Sequence, residues 1–254
     1  MRPDPYSWSP HPEALLGVVI LAGLYADRAR RFAAPPWRIA AFVAGIGLVT
    51  AAIATPLHAL SFHLLSMHLL QNVVLAEWAP ALLVLGVPPA LAAAFGTHRT
   101  VRAFTHPAVA LTVWLSTYFA WHLPPAYDAA LRNPHTLLHV EHACYLAAGL
   151  LLWWPVLHDE PHRLSAGARA GYLFAAFLLA SPLGLLLALL PEPVYDYYDD
   201  AGLWGLSPTA DQQIAGVTMA AEQAVVFFAI FAFFFFRFLA EEELADQFRG
   251  DRRA

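Results

Sequence analysis

Apolar residues dominate seven long segments of the chain, and each segment is long enough to cross a membrane as a helix. The segments cover residues 13–29, 37–55, 61–86, 105–122, 135–157, 168–190 and 211–239. A bilayer has roughly 30 Å of hydrocarbon, which about 20 helical residues cross, and backbone groups inside it must be hydrogen-bonded within the protein. The connecting segments are rich in Pro, Gly and Asp, as in GVPPAL. The pattern predicts an all-α, seven-helix membrane protein that forms one domain over residues 1–254.

The arginines predict how this protein lies in the membrane. Hydrophobic residues make up 59% of the chain and charged residues 13%, and the mean hydropathy is +0.53, whereas a soluble domain is about a quarter charged. All 14 basic residues are arginines, and only Arg2 and Arg132 lie outside the first, third and fifth connections and the C-terminal end. The positive-inside rule then places the N-terminus outside and the C-terminus in the cytoplasm, with residues 240–254 as a short cytoplasmic tail. We expect the first segment to stay in the membrane, because it ends in arginines rather than in a small-residue cleavage site.

Several classes of function are not supported by the sequence. The formal net charge of −5 and the clustering of bases on one side argue against nucleic acid as a partner. The single cysteine, Cys144, excludes an intramolecular disulfide and a CxxC metal site. The HVEH segment does not match HExxH, and the sequence has no GxSxG, Walker or GxGxxG motif. The chain is therefore not predicted to be an enzyme.

The histidines are distributed unevenly between the two predicted sides. His98, His106, His158 and His162 fall at cytoplasmic ends, where we expect solvated side chains. The other eight fall in the outer half: His11, His58, His63, His68, His122, His135, His139 and His142. At a rise of 1.5 Å per residue, His68 and His142 each lie about 10 Å in from the outer end of their segments. The two imidazoles are therefore predicted to share a layer.

The candidate site residues come from four of the segments. They are His63, His68, Gln71, Asn72 and Glu77 in the third segment, His122 at the end of the fourth, His135, His139, Glu141 and His142 in the fifth, and Asp211, Gln212, Met219 and Glu222 in the seventh. His135, His139 and His142 share one helical face, as do His68, Gln71 and Asn72. Several nitrogen ligands and a thioether at one level suit a soft or borderline metal such as copper. The metal ligands predicted from this set are His68, His142, His139, His122, His63, Met219, His135 and Asp211.

Structural roles compete with this interpretation for each residue taken singly. Membrane helices use His, Asn and Gln as hydrogen-bonding partners between helices. Thr209 and Gln212 have the spacing of a capping box, in which Asp211 would lie in the first helical turn. Glu141 and Arg132 are placed to pair at the outer rim. Glu77 lies near the middle of the membrane without an obvious Arg partner, and such residues are functional candidates.

Four stretches of the sequence resemble a known family across most of the chain. MHLLQNVVLAEWAPALLVLG, WHLPPAYDAAL, LLHVEHACYLAAGLLLWWPV and DQQIAGVTMAAEQ are similar, in this order, to the CtaG family of caa3-type cytochrome c oxidase assembly proteins. The resemblance implies a seven-helix protein of the bacterial plasma membrane that helps deliver copper to the catalytic centre of the oxidase. It implies the oxidase catalytic subunit and other copper chaperones as partners.

The motifs transfer to this sequence with one departure. The WH-P histidine of the family corresponds to His122 and its EH pair to Glu141 and His142, whereas its DQQ-AG motif begins at Asp211. In the third segment the family usually has H-M-x-Q-H, and its second histidine is replaced here by Asn72. Either His63 or Met67 then compensates, or the metal is bound differently or not at all.

Two other functions remain open from the residues alone. Two histidines on separate helices could ligate a b-type haem in an electron carrier. Glu77 and Glu222 could instead serve a proton or ion transporter.

Overall fold

The computed structural model describes residues 2–8, 12–200 and 202–251, without the side chains of residues 13, 14, 246 and 248–251. Its helices are α1 (Pro12–Arg31), α2 (Pro36–Ala54), α3 (Pro56–Ser61), α4 (Leu65–Val73), α5 (Ala79–Gly86), α6 (Pro89–Gly96), α7 (Arg99–Phe104), α8 (Pro107–Trp121), α9 (Pro124–Arg132), α10 (Leu137–Leu157), α11 (Ala166–Leu189) and α12 (Pro208–Asp251). A π turn, Val74–Trp78, joins α4 to α5, and a 3-10 turn covers Asp196–Tyr198. Within the described ranges there is no strand, so the all-α prediction is confirmed. His11 lies outside the described residues.

Five helical segments of the described chain are long and apolar enough to cross a membrane. They are Pro36–Ala54, Leu65–Gly86, Leu137–Leu157, Ala166–Leu189 and Pro208–Ala245. The first and fourth predicted segments are also helical, as α1 and α8, but the 15 residues of α8 extend only about 22 Å. The structure thus supports a membrane protein, whereas the count of seven spans and the orientation stay predictions.

The third predicted segment, residues 61–86, is not one regular helix. Helix α3 ends at Ser61, and Leu64 is extended, with φ −134° and ψ 127°, before α4 begins at Leu65. Farther along, the π turn precedes Pro80, which has no N–H to donate to a carbonyl one turn earlier. A π turn of this kind widens the helix locally and rotates the side chains that follow. It places Glu77 and Trp78 toward α12.

Glycines allow the longest helices to approach each other closely. A Cβ at Gly216 of α12 would lie 2.6 Å from the carbonyl oxygen of Gly184 and 2.4 Å from the backbone nitrogen of Ala188, both on α11. A Cβ at Gly149 of α10 would lie 2.2 Å from the carbonyl oxygen of Ala76 in the π turn. Small residues at such contacts are the usual way for membrane helices to pack. This packing places α4, the π turn, α10 and α12 around a common interior.

Candidate functional site

His68 of α4 lies at the centre of a buried polar network. Its side chain is fully buried. Its Nδ1 is 3.3 Å from the hydroxyl of Tyr198, which donates its proton to the carbonyl oxygen of Ser61 at 2.6 Å. Since that proton is committed, Nδ1 of His68 donates to the Tyr198 oxygen, and its Nε2 lies 3.3 Å from Oε1 of Glu141. Metal-binding histidines are commonly oriented by such a bond from the other ring nitrogen.

Glu141 and Asn72 complete this network between α10 and α4. The amide of Asn72 donates to Oε1 of Glu141 at 3.0 Å, and both side chains are buried. Oε2 of Glu141 and Oδ1 of Asn72 have no hydrogen-bond partner among the described residues. The expected pair of Glu141 with Arg132 is wrong, because Glu141 points into the bundle and Arg132 lies 3.4 Å from Asp128.

A small cavity, here called the inner cavity, lies next to this network. It is lined by Leu69, Asn72, Val73, Ala76, Glu77, Tyr118, His122, Tyr145 and Met219. His122 follows the last residue of α8 and is buried, with Nδ1 2.7 Å from the carbonyl oxygen of Tyr118. A carbonyl only accepts, so Nδ1 carries the proton and Nε2 holds the lone pair in a neutral ring. In the part of the chain described, Nε2 of His122 has no hydrogen-bond partner.

The inner cavity also brings other donor atoms together. Met219 of α12 is 1% exposed. The wall thus includes an imidazole, a thioether, an amide and the carboxyl group of Glu77. The sequence prediction put His122 and Met219 in one ligand set, together with six residues that do not line this cavity, and it named Asn72 and Glu77 as candidate site residues outside that set.

Glu77 is held by neutral partners rather than by an arginine. Its Oε1 accepts a hydrogen bond from Nε2 of Gln223 at 3.2 Å, and the same amide donates to the hydroxyl of Tyr118 at 3.1 Å. Glu222 accepts from the indole nitrogen of Trp78 at 2.5 Å. Oε2 of Glu77 and Oε2 of Glu222 have no hydrogen-bond partner among the described residues.

A second group of histidines lies on the other side of His68. The ring centroid of His142 is 6.4 Å from that of His68 and 6.1 Å from that of His58, so His68 and His142 do lie in one layer. Gln71 donates to Nδ1 of His58 at 3.0 Å and to the carbonyl oxygen of Ala52 at 2.7 Å. Gln71 therefore points away from Asn72, although helical spacing put them on one face. His58, outside the predicted ligand set, had only its place just before the third segment as a signal.

Three predicted site residues do not line the inner cavity. Nε2 of His63 is 2.7 Å from the carbonyl oxygen of Pro3, and His135 is exposed. The carboxylate of Asp211 accepts hydrogen bonds from the backbone nitrogens of Leu65 at 2.5 Å and Ser66 at 3.2 Å. Asp211 thus caps α4, a different helix from its own.

The predicted capping box at the start of α12 is wrong. The hydroxyl of Ser207 caps this helix by accepting from the backbone nitrogen of Ala210 at 3.2 Å. The side chain of Gln212 instead makes two hydrogen bonds to the loop before the helix. It accepts from the backbone nitrogen of Val194 at 2.7 Å and donates to the carbonyl oxygen of Glu192 at 3.0 Å.

His158, interpreted from the sequence as a solvated side chain, is buried. It lies just beyond the end of α10, with Nε2 3.0 Å from the carbonyl oxygen of Val84. Burial lowers the pKa of His158 from 6.5 to about 4, although its bond to the carbonyl acts in the opposite direction. The ring is therefore neutral at physiological pH and acts as a donor to Val84.

Among the described residues, no three His, Cys, Asp or Glu side chains form a group that could hold a metal ion. A site made of three or more of those ligands is therefore absent from the described part of the chain. In the inner cavity the additional donors are Met219 and Asn72.

Comparison with known proteins matches most of the chain to one protein family. The family model described as cytochrome c oxidase caa3 assembly factor (Caa3_CtaG) matches residues 18–241. An uncharacterized protein of Mycobacterium leprae is 25% identical in an alignment 244 residues long, and the alignment covers 86% of this chain and 37% of that protein. Uncharacterized proteins of Mycobacterium bovis and Mycobacterium tuberculosis are 25% identical in alignments 227 residues long, which cover 80% of this chain and 34% of those proteins. The chain therefore spans about a third of the length of these curated relatives, and no solved structure matches it.

Proposed function

The chain belongs to the caa3 assembly factor family of cytochrome c oxidase, and on that premise we propose that it binds copper in the inner cavity and helps deliver it to the oxidase catalytic subunit. The metal would be cargo that passes through the protein. The family description supports the role in oxidase assembly, while the copper step is our proposal. Other copper chaperones would then act as donors to this site.

The observation that carries the proposal is the lone pair of His122 on the wall of the inner cavity. Nε2 of His122 is buried and has no hydrogen-bond partner among the described residues, while Nδ1 is fixed by the carbonyl oxygen of Tyr118. Met219 supplies a soft thioether to the same cavity. Imidazole and thioether ligands are those that Cu(I) prefers, whereas magnesium and calcium require several oxygen ligands.

His68 has a different part in this proposal. Its Nε2 now lies beside Glu141, so His68 would have to leave that carboxylate to reach a metal ion. Asn72 contacts Glu141 and also lines the inner cavity. Movement of Glu141 would therefore link copper binding at His122 to the histidine layer of His68 and His142.

The direction of delivery depends on the orientation in the membrane. We propose seven spans, with the N-terminus outside and the C-terminus in the cytoplasm of a bacterial plasma membrane, because 12 of the 14 arginines then lie inside. A reporter fused after Ala254 should be active only in the cytoplasm, and one inserted within residues 195–200 only outside. The reverse pattern would put the histidines on the wrong side and overturn the route.

Copper binding by purified protein tests the site directly. The protein, loaded with Cu(I) under reducing conditions and desalted, should retain copper, whereas His122→Ala and Met219→Leu should each retain much less. His135→Ala is the matched control, since that histidine is exposed and does not line the inner cavity. Equal copper in His122→Ala and in the control would refute the inner-cavity site.

Activity of the oxidase tests delivery separately from binding. In cells that carry His122→Ala, the oxidase polypeptide should still contain haem but should have less copper and lower turnover, and added copper should partly restore both. Normal turnover with normal amounts of the variant protein would refute a role for this histidine in delivery. A Soret band in the purified protein would favour the haem-carrier alternative, and metal-independent proton flux in liposomes would favour the transporter.

Asn72→His tests the departure from the usual family pattern. The substitution places an imidazole on the wall of the inner cavity with His122 and Met219. We expect tighter copper retention than in the wild type, because a nitrogen ligand replaces a weak amide oxygen. Unchanged retention would show that position 72 does not face the bound metal.

A further inference from the structure

A cleft, here called the α1 cleft, runs beside the end of α1 that is predicted to be cytoplasmic. Its 12 lining residues come from α1, α2, α5, α6, α10 and the turn between α5 and α6, and they include Leu24 and Arg28 of α1 and Trp154 of α10. The volume is about 400 Å³, within the range of small-molecule sites. Leu24 is 57% exposed, so the cleft opens on the side of the bundle.

The wall of the α1 cleft is apolar except at one end. All of its lining residues are described, and Arg28 is the one that carries a charge. The polar atoms of the two amphipathic side chains are used within the protein. The hydroxyl of Tyr25 donates to the carbonyl oxygen of Gly86 at 2.9 Å, and the indole nitrogen of Trp154 donates to a backbone carbonyl at 2.8 Å. A hydrocarbon chain from the bilayer suits such a wall.

Arg28 places a cation at the end of this apolar wall. Its side chain is 46% exposed, and Nε forms an ion pair with Asp27 at 3.4 Å. Asp27 also accepts a hydrogen bond from Arg31 at 2.9 Å, so one carboxylate is shared between two arginines. Exposed ion pairs of this kind contribute little to stability. The terminal nitrogens of Arg28 make no hydrogen bond to another described residue and are available to an anion.

The surrounding charge also favours an anion. Of the residues 25–38, which are all described, four are arginines and Asp27 is the one acid. Arg38 lies beside the cleft, because it donates to the carbonyl oxygen of the lining residue Val87 at 2.7 Å. Basic clusters at the cytoplasmic end of a membrane helix attract anionic lipids. A zwitterionic headgroup would bring its own cation to the arginines.

We propose that the α1 cleft binds an anionic phospholipid, with an acyl chain along the wall between Leu24 and Trp154 and the phosphate on Arg28. An arginine can bind phosphate through two parallel N–H bonds. A bare hydrocarbon chain would not use Arg28, and a soluble phosphate would not use the apolar wall. The site requires α1 to lie in the membrane, as proposed above, and it is independent of copper in the inner cavity.

Two arginines on one helix give a matched test of the phosphate contact. Arg28 lines the cleft, whereas Arg30 is exposed and lies outside the lining. Delipidated protein in detergent is titrated with dioctanoyl phosphatidylglycerol, and native mass spectrometry gives the Kd of the first bound lipid. Arg28→Gln should raise Kd about tenfold, and Arg30→Gln less than about twofold. Arg28→Lys should retain part of the affinity.

Asp27→Asn separates phosphate binding from a structural role of the ion pair. If the pair only held α1 in place, Asp27→Asn and Arg28→Gln would weaken binding alike. We expect Asp27→Asn to bind the lipid at least as tightly as the wild type, because the substitution removes a carboxylate that competes with the phosphate for Arg28.

A second pair of variants tests the acyl chain. Leu24→Trp places a larger side chain on the wall of the cleft and should weaken binding severalfold. Ile20→Trp, one turn earlier at a position that is 53% exposed and outside the lining, should match the wild type.

Other ligands identify the occupant. Dioctanoyl phosphatidylcholine should bind more weakly than the phosphatidylglycerol, and glycerol 3-phosphate should not bind measurably at concentrations that saturate the site with lipid. Equal binding of the two phospholipids, binding of glycerol 3-phosphate as tight as that of the lipid, or equal Kd values for Arg28→Gln and Arg30→Gln would each overturn the proposal. Weakening by Asp27→Asn to the level of Arg28→Gln would also overturn it.

Discussion

Asp211→Ala separates a structural role of this residue from the ligand role predicted from its sequence motif. Asp211 of α12 accepts hydrogen bonds from the backbone nitrogens of Leu65 and Ser66 and from the hydroxyl of Ser66, the last at 2.5 Å. The carboxylate is 3% exposed, and it meets the positive end of α4. We therefore expect the variant to lose stability and to keep its copper.

The size of the loss follows from the contacts that disappear. Removal of a helix cap costs about 0.5–2 kcal/mol, and a hydrogen bond to a charged group contributes about 1.5–3 kcal/mol. Polar contacts inside membrane bundles are weaker on average, at about 0.6 kcal/mol. A total of about 2–4 kcal/mol corresponds to a drop in Tm of roughly 5–10 °C for a chain of this size.

The assay is thermal unfolding in detergent, with copper per chain measured on the same sample. Asp211→Asn should lie between the wild type and Asp211→Ala, because an amide oxygen can still accept from the backbone of α4. Asp199→Ala, at an exposed position beyond the 3-10 turn, should leave Tm unchanged. Loss of copper from Asp211→Ala at an unchanged Tm would show that Asp211 is a ligand and refute the capping argument.

Two further predictions concern pH and close packing. The pKa of His158 falls from 6.5 to about 4 on folding, because the ring is buried. The neutral ring therefore contributes about 3 kcal/mol of stability above pH 6.5, and this contribution is lost as the pH falls from 6.5 toward 4. His158→Gln should reduce the fall of Tm between pH 6.5 and pH 4, whereas His98→Gln, at an exposed position, should not. Gly149→Ala places a methyl group 2.2 Å from the carbonyl oxygen of Ala76 and should lower the free energy of unfolding by about 1–3 kcal/mol, measured as a fall in Tm. Gly171→Ala, where a Cβ has no atom within 4 Å, should leave Tm unchanged or raise it slightly. Equal Tm values for the two glycine variants would contradict the close packing at Gly149.

Long apolar runs were sufficient to predict the main helices, since a segment of about 20 apolar residues has few other stable forms in lipid. The short helices were missed because they are too brief for hydrophobic periodicity to detect. A local signal was nevertheless present, since α3, α6 and α9 begin with Pro56, Pro89 and Pro124 at the first helical position. Proline is favoured there because the first N–H has no partner within the helix.

Helical spacing predicted the depth of site residues better than it predicted their partners. His68 and His142 are in one layer, as their positions along the segments required. Gln71 and Asn72 were assigned to a shared face, yet one contacts α2 and α3 and the other contacts α10. Because neighbours surround the third segment on several sides, adjacent positions about 100° apart meet different helices. One helix taken alone does not contain this information.

The relative suitability of His68 and His122 as ligands depends on the same long-range contacts. His68 has the stronger sequence signal, because it lies in the middle of an apolar segment. Its Nε2, however, is beside Glu141, a residue 73 positions away in the chain. His122 has the weaker signal at the end of its segment, but Tyr118 one turn earlier fixes its Nδ1, and its Nε2 is left on the cavity wall. Coordination through Nε2 of His122 would displace no carboxylate, so the copper proposal predicts that His122 rather than His68 binds the metal first.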